Sequence, residues 1–310
     1  MTKQVCIIGG SGFVGRAIAR QCVDAGYRVT VACRHPEKAR DMLVDGIRLM
    51  KADIADGKGL DDAMAGADCV INLVGLLAPA GRYTFESAHV LGTEHIIETA
   101  QRLDIPQYLH MSALGAGLVA DSIYASTKGE AESRVHESSL NWTIVRPSVI
   151  YGYGDSFFNK FKMLSKFGPV FPVIAAGTKF QPVWVDDVAR VFVQSIGNRH
   201  VTHKTFELAG PDVFTFEQLL HLLMESLGRQ RIFVRVPDAI AKLLAASPLP
   251  MITLDQYRLL QHDNVVKGEA FPAQFGQAAS VEKVLPTYIC GLQPSRIQHK
   301  LSALRQSYRH

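Results

Sequence analysis

Two residues able to carry out proton transfer lie four positions apart in Tyr124-Ala125-Ser126-Thr127-Lys128, within a segment of helical character. Side chains at this spacing occupy one face of a helix, one turn from each other. A nearby ammonium group favours the phenolate and lowers the pKa of a tyrosine, as does the positive charge of an oxidised nicotinamide ring. Such a tyrosine can exchange a proton with a carbonyl while a hydride moves at the nicotinamide. The pattern therefore indicates oxidoreductase chemistry, with Tyr124 as general acid or base and Lys128 tuning it and binding ribose hydroxyls.

A tyrosine and a lysine at this spacing arise easily by chance, so their position in the chain matters. They begin the helical segment that follows the strand ending at Met111, and Ser112 comes directly after that strand. Ser112 is a third candidate catalytic residue, able to polarise a substrate carbonyl, although a serine there is also typical of a turn or a helix cap. The alternative for Tyr124 and Lys128 is a pair of exposed side chains on a surface helix.

A glycine-rich stretch separates the first apolar run, Val5 to Ile8, from the first helical segment. Glycines at this point permit a tight turn, close approach of the backbone to a pyrophosphate and close packing of helix on strand, while amides at the helix start hold the phosphates. A tight turn without a ligand is the alternative. The position after the opening strand of a βαβ unit favours a dinucleotide site. Its predicted residues are Gly9, Ser11, Gly12, Phe13, Val14 and Gly15.

The end of the second predicted strand is where an acidic residue would bind the ribose of NAD and a basic residue the 2′-phosphate of NADP. That strand ends in Cys33-Arg34-His35, Lys38 lies one turn into the next segment, and no carboxylate precedes Glu37. Arg34 and Lys38 therefore predict NADP(H) in preference to NAD(H). The alternative is a solvated arginine on a surface loop.

Composition excludes several classes of function. Thirty-three basic and 29 acidic residues give a net charge of +4 without a dense basic block, which argues against nucleic acid as a partner. Five cysteines without a C-x-x-C pair predict a reducing compartment with neither a disulfide framework nor a zinc site. His200 and His203 have no further ligand type nearby, so no metal site is predicted.

Strand-like apolar runs begin directly after Met1 and no apolar run is long enough to span a bilayer. We therefore expect a cytoplasmic, bacterial-type protein without a targeting peptide or a membrane span. The runs alternate with helical segments as far as Pro147, which predicts an α/β fold: a doubly wound parallel (Rossmann) sheet with a smaller, mostly helical C-terminal lobe. The predicted core comprises residues 1–147 and 183–232. The predicted lobe, for substrate or docking, comprises 148–182, expected to be a loop-dominated insertion, and 233–310.

A third motif, in register with the glycine turn and the Tyr124/Lys128 pair, is Arg146-Pro147-Ser148-Val149-Ile150-Tyr151-Gly152. With these motifs, about the first 230 residues resemble the extended and atypical short-chain dehydrogenases/reductases, the family of the NAD-dependent epimerases/dehydratases. The resemblance implies that Asp53 and Ile54 lie beside the adenine. It also implies that Leu73, Val74 and Gly75 line the nicotinamide side of the site. Pro147 and Val149 are further predicted cofactor-binding residues.

Within that family the chain is most similar to the atypical branch that contains the NAD(P)H-binding accessory subunit of respiratory complex I. The similar segments are 34–39, 112–116, 157–159 and 259–266. Two departures from the sugar epimerases, Leu114 in place of a Ser/Thr and His89 in place of an asparagine, put a sugar-nucleotide substrate in doubt.

Three functions follow from the motifs and the resemblance. The first is an NADP(H)-preferring oxidoreductase acting on a carbonyl or a quinone-like apolar substrate, an expectation favoured by Phe157, Phe158, Phe161, Phe167 and Phe171. The second is a catalytically silent structural or redox-sensing subunit, peripherally associated with a membrane complex, or a nucleotide-sensing regulator of a partner protein. The third is a sugar-nucleotide epimerase/dehydratase. The sequence identifies neither the substrate nor the oligomeric state.

Overall fold

The structure is a computed structural model that describes residues 2–245 and 252–290. Residues 246–251 and 291–310, both in the predicted lobe, lie outside the described residues.

The strands carry most of the β-branched and aliphatic runs of the sequence. In chain order they are β1 (Gln4–Ile8), β2 (Arg28–Cys33), β3 (Arg48–Lys51), β4 (Cys69–Asn72), β5 (Tyr108–Met111), β6 (Trp142–Pro147), β7 (Ile150–Tyr151), β8 (Val170–Val173), β9 (Lys179–Phe180), β10 (Val183–Trp184), β11 (Lys204–Leu208), β12 (Phe214–Thr215) and β13 (Ile232–Arg235).

The helices lie between the strands. They are α1 (Phe13–Asp24), α2 (Leu60–Met64), α3 (Gly92–Arg102), α4 (Ile123–Glu137), α5 (Phe157–Leu164), α6 (Val185–Ser195), α7 (Phe216–Ser226), α8 (Asp238–Ala245), α9 (Leu254–Leu259) and α10 (Val281–Ile289), with 3-10 segments at Pro36–Asp45, Arg199–Val201 and Ala273–Phe275.

Seven strands form one sheet in the order β3-β2-β1-β4-β5-β6-β11, and all neighbours are parallel. The order reverses at β1, so the connections after β1 and β4 leave in opposite directions and open a cleft at the carboxyl ends of these strands. The predicted doubly wound Rossmann fold is confirmed.

Both faces of the sheet are covered, as the near-continuous apolar strands require. Along β1, Val5 and Ile7 enter one buried cluster with α1 and α6, whereas Cys6 and Ile8 enter a second cluster on the opposite face. Successive side chains of a strand point to opposite faces, so this division follows directly from the run of four apolar residues.

Three two-stranded sheets lie outside the central one: β7 with β10, β9 with β12, and β8 with β13. A third apolar cluster joins segment 148–182 to α7 and α10 around Tyr151 and Phe158. The segment expected to be a loop-dominated insertion thus contains α5 and short strands. Five of its six phenylalanines pack in this cluster, and the sixth, Phe167, is 81% exposed.

Candidate functional site

The glycine turn is shaped by contacts that leave no room for side chains. Gly9 has φ +78°, and a Cβ there would lie 3.3 Å from Val74 Cγ2. A Cβ on Gly15 would lie 2.5 Å from the Cα of Gly10, so α1 can pass this close to the turn only with glycine at position 15. The backbone of the turn is therefore drawn against the carboxyl end of β4.

The N-cap of α1 is Gly12, which has no side chain to cap the helix. The first turn of the helix contains no acidic residue. The first amides of a helix have no partner within the helix and carry partial positive charge. This helix end fits a pyrophosphate, with Phe13 and Val14 supplying backbone N–H groups.

A cavity of about 190 Å³ adjoins the turn and is lined by Ser11, Arg16, Arg34, His35, Lys38 and Ala39. Arg16 is paired with Asp41, and His35 with Glu37 at 3.0 Å. Within the described part of the chain, Arg34 and Lys38 form no ion pair with a carboxylate. Two cations without an ion-pair partner in the described residues and a serine hydroxyl around one cavity fit a phosphate group.

Asp53 and Ile54 follow β3 at the same edge of the sheet. The Asp53 carboxylate accepts hydrogen bonds from the Tyr83 hydroxyl at 2.7 Å, from the Ala55 amide at 3.0 Å and from Arg82. Burial would raise the pKa of Asp53, but these hydrogen bonds outweigh burial and hold the pKa below its usual value.

The loop that contains Arg82 and Tyr83 also contacts the predicted phosphate-binding arginine. The Arg34 guanidinium lies over the Tyr83 ring, 4.2 Å from its centroid. Tyr83 thus links Arg34 and Asp53, the two side chains predicted at the adenosine end of the site. Neither Arg82 nor Tyr83 was predicted, because nothing in their local pattern indicates a contact with Asp53, about thirty positions earlier.

Lys128 is 3% exposed, and its ammonium connects the carboxyl ends of two central strands. Its Nζ donates to the Met111 carbonyl at 3.0 Å and to the Val74 carbonyl at 3.5 Å. A Cβ on Gly75 would lie 3.5 Å from this Nζ. Burial lowers the pKa of Lys128 to about 8, although Glu132 acts in the opposite direction. The lysine therefore lies in the cleft between the strand ends and not on an exposed helix face.

Tyr124 is half-buried one turn before Lys128. Its ring makes edge contacts with Phe85 and His89, at centroid distances of 5.9 and 5.4 Å. Burial, and to a lesser extent the Asp255 carboxylate, raise the pKa of Tyr124 to about 12. The phenol is thus neutral near pH 7 in this structure, opposite to the lowering expected from the lysine alone.

Ser112 is 3% exposed, and its Oγ has no hydrogen-bond partner among the described residues. Buried hydroxyls without a partner are rare in proteins, so this Oγ is free to hydrogen-bond a bound ligand. Its backbone N–H donates to the Val145 carbonyl at 2.8 Å, which fixes the residue at the end of β5 beside the carbonyl that Lys128 contacts.

His89 is 1% exposed and connects three parts of the site. Its Nε2 accepts a hydrogen bond from the Leu76 amide at 3.0 Å, so its proton is on Nδ1, which lies 2.9 Å from Thr127 Oγ1. Burial, and then the charge of Lys128, lower the pKa of His89 to about 3. A neutral histidine with both nitrogens engaged positions the loop after β4 against α4.

The remaining predicted residues lie on the same side of the sheet. Leu73 is 7% exposed, directly after β4. Pro147 ends β6, and its carbonyl accepts the Leu114 amide at 2.9 Å. Val149 donates to Asn264 Oδ1 at 3.0 Å, which ties this loop to the segment after α9. No group of three or more potential metal ligands occurs in residues 2–245 and 252–290.

The fold and the turn define a Rossmann-type dinucleotide-binding protein. A family model described as NAD(P)H-binding matches residues 9–199. The chain belongs to this NAD(P)H-binding family, and within it to the atypical short-chain dehydrogenase/reductase type predicted from its motifs.

Named relatives fall into two groups. A mitochondrial protein of Arabidopsis thaliana, NADH dehydrogenase (ubiquinone) 1 alpha subcomplex subunit 9, is 32% identical over 86% of this chain and 72% of its own length. The ceramide reductase of Caulobacter vibrioides is 26% identical over 76% of this chain and 74% of its own length. The NADPH complex of an NADPH-dependent quinone oxidoreductase from Escherichia coli superposes with TM-score 0.74, at 18% identity, over 92% of this chain and 99% of that one.

Proposed function

We propose that this protein is an NADP(H)-dependent reductase of a carbonyl or quinone-like apolar substrate, with Tyr124 as the proton donor. The observation that carries the proposal is the position of the Lys128 ammonium between the ends of β4 and β5, one turn from Tyr124. This ammonium donates to the carbonyl of Met111, the residue before Ser112, whose buried hydroxyl has no partner in the described part of the chain. A lone surface pair would not converge with a serine on the cleft where the dinucleotide of this fold binds.

The preference for NADP(H) is supported by the cavity beside the glycine turn. A 2′-phosphate adds charge to the adenosine ribose, and Arg34 and Lys38 have no carboxylate partner in the described residues. Arginine also presents a planar fork that matches phosphate oxygens. The nearest acidic residue in the sequence, Glu37, pairs with the His35 ring at 3.0 Å.

In the reducing direction the chain's own groups act on the substrate oxygen. A bound reduced dinucleotide would supply the hydride. The Ser112 hydroxyl and the Tyr124 phenol donate hydrogen bonds to the carbonyl oxygen, and Tyr124 transfers its proton as negative charge develops there. The Lys128 ammonium stabilises the phenolate that remains. A neutral phenol in the free protein suits this donor role.

An apolar substrate is supported by the relatives named for a ceramide and for a quinone. The phenylalanines of segment 157–171 do not add to this argument, because four of the five pack in the lobe's own core. A sugar nucleotide is disfavoured because His89 is buried and neutral where sugar epimerases have an asparagine amide.

The test is turnover of NADPH with a series of quinones and long-chain ketones, comparing wild type with Tyr124→Phe. We expect Tyr124→Phe to abolish turnover and leave the NADPH Kd within about twofold, because the phenol acts on the substrate oxygen and not on the dinucleotide. Tyr153→Phe, at a tyrosine that is 63% exposed, is the matched control. Turnover that survives in Tyr124→Phe removes the assignment of the proton donor.

A second candidate is a nucleotide-binding subunit without turnover, peripherally associated with a larger membrane complex. It is favoured by the 32% identical relative. It is also favoured by α9 of the C-terminal segment, where Asp255 accepts a hydrogen bond from the start of α4 and Gln256 donates one to the Leu77 carbonyl. Tight NADPH binding without turnover of any substrate in the series, together with co-purification in a complex, would favour this candidate. The division into core and lobe also stays a proposal.

A further inference from the structure

One face of the two-stranded sheet β8–β13 is apolar and exposed. Val170 pairs with Ile232, and Pro172 with Val234. The exposed fractions of Val170, Ile232 and Val234 are 54%, 64% and 48%. The alternate residue Phe171 is buried in the lobe core, so the sheet uses one apolar face for folding and leaves a second apolar face in solvent.

Further bulky side chains are exposed on the neighbouring elements. Phe167 is 81% exposed just before β8, and α8, which follows β13, exposes Ile240 at 50% and Leu243 at 74%. We call the exposed side chains of segments 157–173 and 228–243 the lobe surface. Single exposed apolar residues are ordinary, but concentration in two adjoining segments marks an interaction site.

The same two segments carry most of the excess positive charge. They contain seven Lys or Arg residues against one acidic residue, Asp238, whereas the whole chain has a net charge of only +4. The two segments together therefore carry a net charge of +6, and the rest of the chain is slightly acidic. Such asymmetry points to an anionic partner.

Several of these cations bind uncharged groups, although Arg235 pairs with the Glu217 carboxylate at 2.7 Å. Arg229 donates to the Lys162 carbonyl at 3.1 Å, and Arg231 donates to the Ser165 carbonyl at 2.9 and 2.7 Å. Both arginines thus bind the uncharged carbonyls at the end of α5. Within the described residues, neither they nor Lys166 and Lys242 form an ion pair with a carboxylate, so their charge is available to a partner.

We propose that the lobe surface docks on an anionic lipid bilayer, with Phe167 and the apolar sheet face at the headgroup level and the surrounding lysines and arginines against lipid phosphates. Interfacial binding needs buried apolar area and attraction to anionic headgroups together, and both are present here. A second copy of this chain is a poor occupant, because it would bring two strongly positive surfaces together. Residues 291–310, outside the described part, add four more Lys or Arg and no acidic residue.

The test is co-sedimentation of the full chain with vesicles of phosphatidylcholine alone and with vesicles containing about one third phosphatidylglycerol. We expect binding to the anionic vesicles to be at least tenfold stronger, and to fall steeply between about 0.1 M and about 0.5 M salt as screening increases. Removing the charge in Lys166→Gln or Lys242→Gln should weaken binding about fivefold each.

The apolar contribution is tested with Phe167→Ser combined with Ile232→Thr, which we expect to weaken vesicle binding tenfold or more. The matched control is Leu43→Ser combined with Val44→Thr, at residues that are 53% and 48% exposed in the 3-10 segment Pro36–Asp45. The control should bind vesicles like wild type. NADPH affinity and the thermal transition check that each variant is folded. If the Phe167/Ile232 variant does not fold, the lysine variants still test the proposal.

Four results would overturn the proposal. The first three are no binding to anionic vesicles, equal binding to neutral and anionic vesicles, and an equal loss of vesicle binding in the test and control variants. The fourth is a test variant whose only change is its oligomeric state, measured by light scattering. The last would assign the face to a second copy of the chain. Saturable capture of an acidic protein, with no affinity for vesicles, would assign it to a protein partner. Because NADPH turnover is measured separately, a failure of vesicle binding does not contradict the proposed reductase function.

Discussion

The Asp255 carboxylate accepts a hydrogen bond from the Ile123 backbone N–H at 2.7 Å, although the two residues are 132 positions apart. It also accepts from the Ser122 hydroxyl at 3.1 Å and from the Tyr124 amide at 3.3 Å. A residue of α9 thus caps the N-terminus of α4, the helix that carries Tyr124 and Lys128. The C-terminal segment therefore fixes the start of this helix and adds a negative charge beside the phenol.

This relationship separates two effects of Asp255. Asp255→Ala should lower the free energy of unfolding by about 1 kcal/mol, as expected for the loss of an N-cap acceptor. Asp255→Asn keeps an acceptor oxygen but removes the charge, so it should lower the pKa of Tyr124 with a smaller loss of stability. Tyr124 is monitored as the difference between absorbance titrations of each protein and its Tyr124→Phe variant. Asp121→Asn, at a carboxylate that is 65% exposed, should change neither quantity. An unchanged Tyr124 pKa in Asp255→Asn would contradict the electrostatic contact.

The basic cavity predicts a selective loss of NADPH affinity. Arg34→Ala should weaken NADPH binding about tenfold or more, because it removes a charge-assisted contact, and should change NADH binding about twofold at most. Titration calorimetry with both coenzymes measures the difference. Arg28→Ala, at the opposite end of β2, is the control. Equal losses for the two coenzymes would remove the argument from the 2′-phosphate.

Substitutions at two glycines of the turn should affect NADPH binding and stability separately. A Cβ on Gly12 would meet nothing closer than the Gly9 carbonyl oxygen at 3.4 Å, so Gly12→Ala should fold normally yet obstruct the pyrophosphate. A Cβ on Gly15 would lie 2.5 Å from the Gly10 Cα, so Gly15→Ala should lower the free energy of unfolding by about 1–3 kcal/mol. Denaturant unfolding and NADPH titration measure both properties, with Gly177→Ala as a control in open space. Full NADPH affinity in Gly12→Ala would mean that the phosphates bind elsewhere.

His89 gives the fold a sensitivity to acid. Its pKa is lowered from 6.5 to about 3 in the folded chain, first by burial, so the unfolded chain binds the extra proton between these values. Stability is therefore lost as the pH falls below 6.5. The loss from this group between about pH 7 and about pH 5 is about 2 kcal/mol. Wild type should lose about this much more stability than His89→Asn over that interval in urea unfolding. Parallel pH profiles for the two proteins would show that His89 is not buried in the neutral form.

Much of the fold was accessible from the sequence because its signals are local. The β-branched run Arg28–Cys33 matches β2 residue for residue, and the glycine turn marks the connection between β1 and α1. The apolar spacing of segment 85–103 is typical of one continuous α-helix, but the segment begins with a π-helical stretch at Glu86–Leu91 that leads into α3. Its apolar spacing is compatible with either hydrogen-bond pattern, so periodicity did not distinguish them.

The candidate site was only partly accessible for the same reason. Tyr124, Lys128 and the glycines were predicted from short motifs, and these are the residues that the structure brings to the cleft. Asp255 and Tyr83 act through contacts with residues far away in the chain, and a single acid or tyrosine has no pattern that reveals its distant partner. The direction of the Tyr124 pKa also depended on burial, which the spacing of Tyr124 and Lys128 does not reveal.

The central claim is that amides at the start of α1 and the cations of the adjoining cavity hold a phosphorylated dinucleotide. Titration calorimetry of the purified, folded protein with NADPH, NADP⁺, NADH and NAD⁺ tests it most directly. The account predicts saturable binding at one site per chain, with both phosphorylated coenzymes about tenfold or more tighter than their counterparts. Absence of saturable heat with all four coenzymes on folded protein would contradict it.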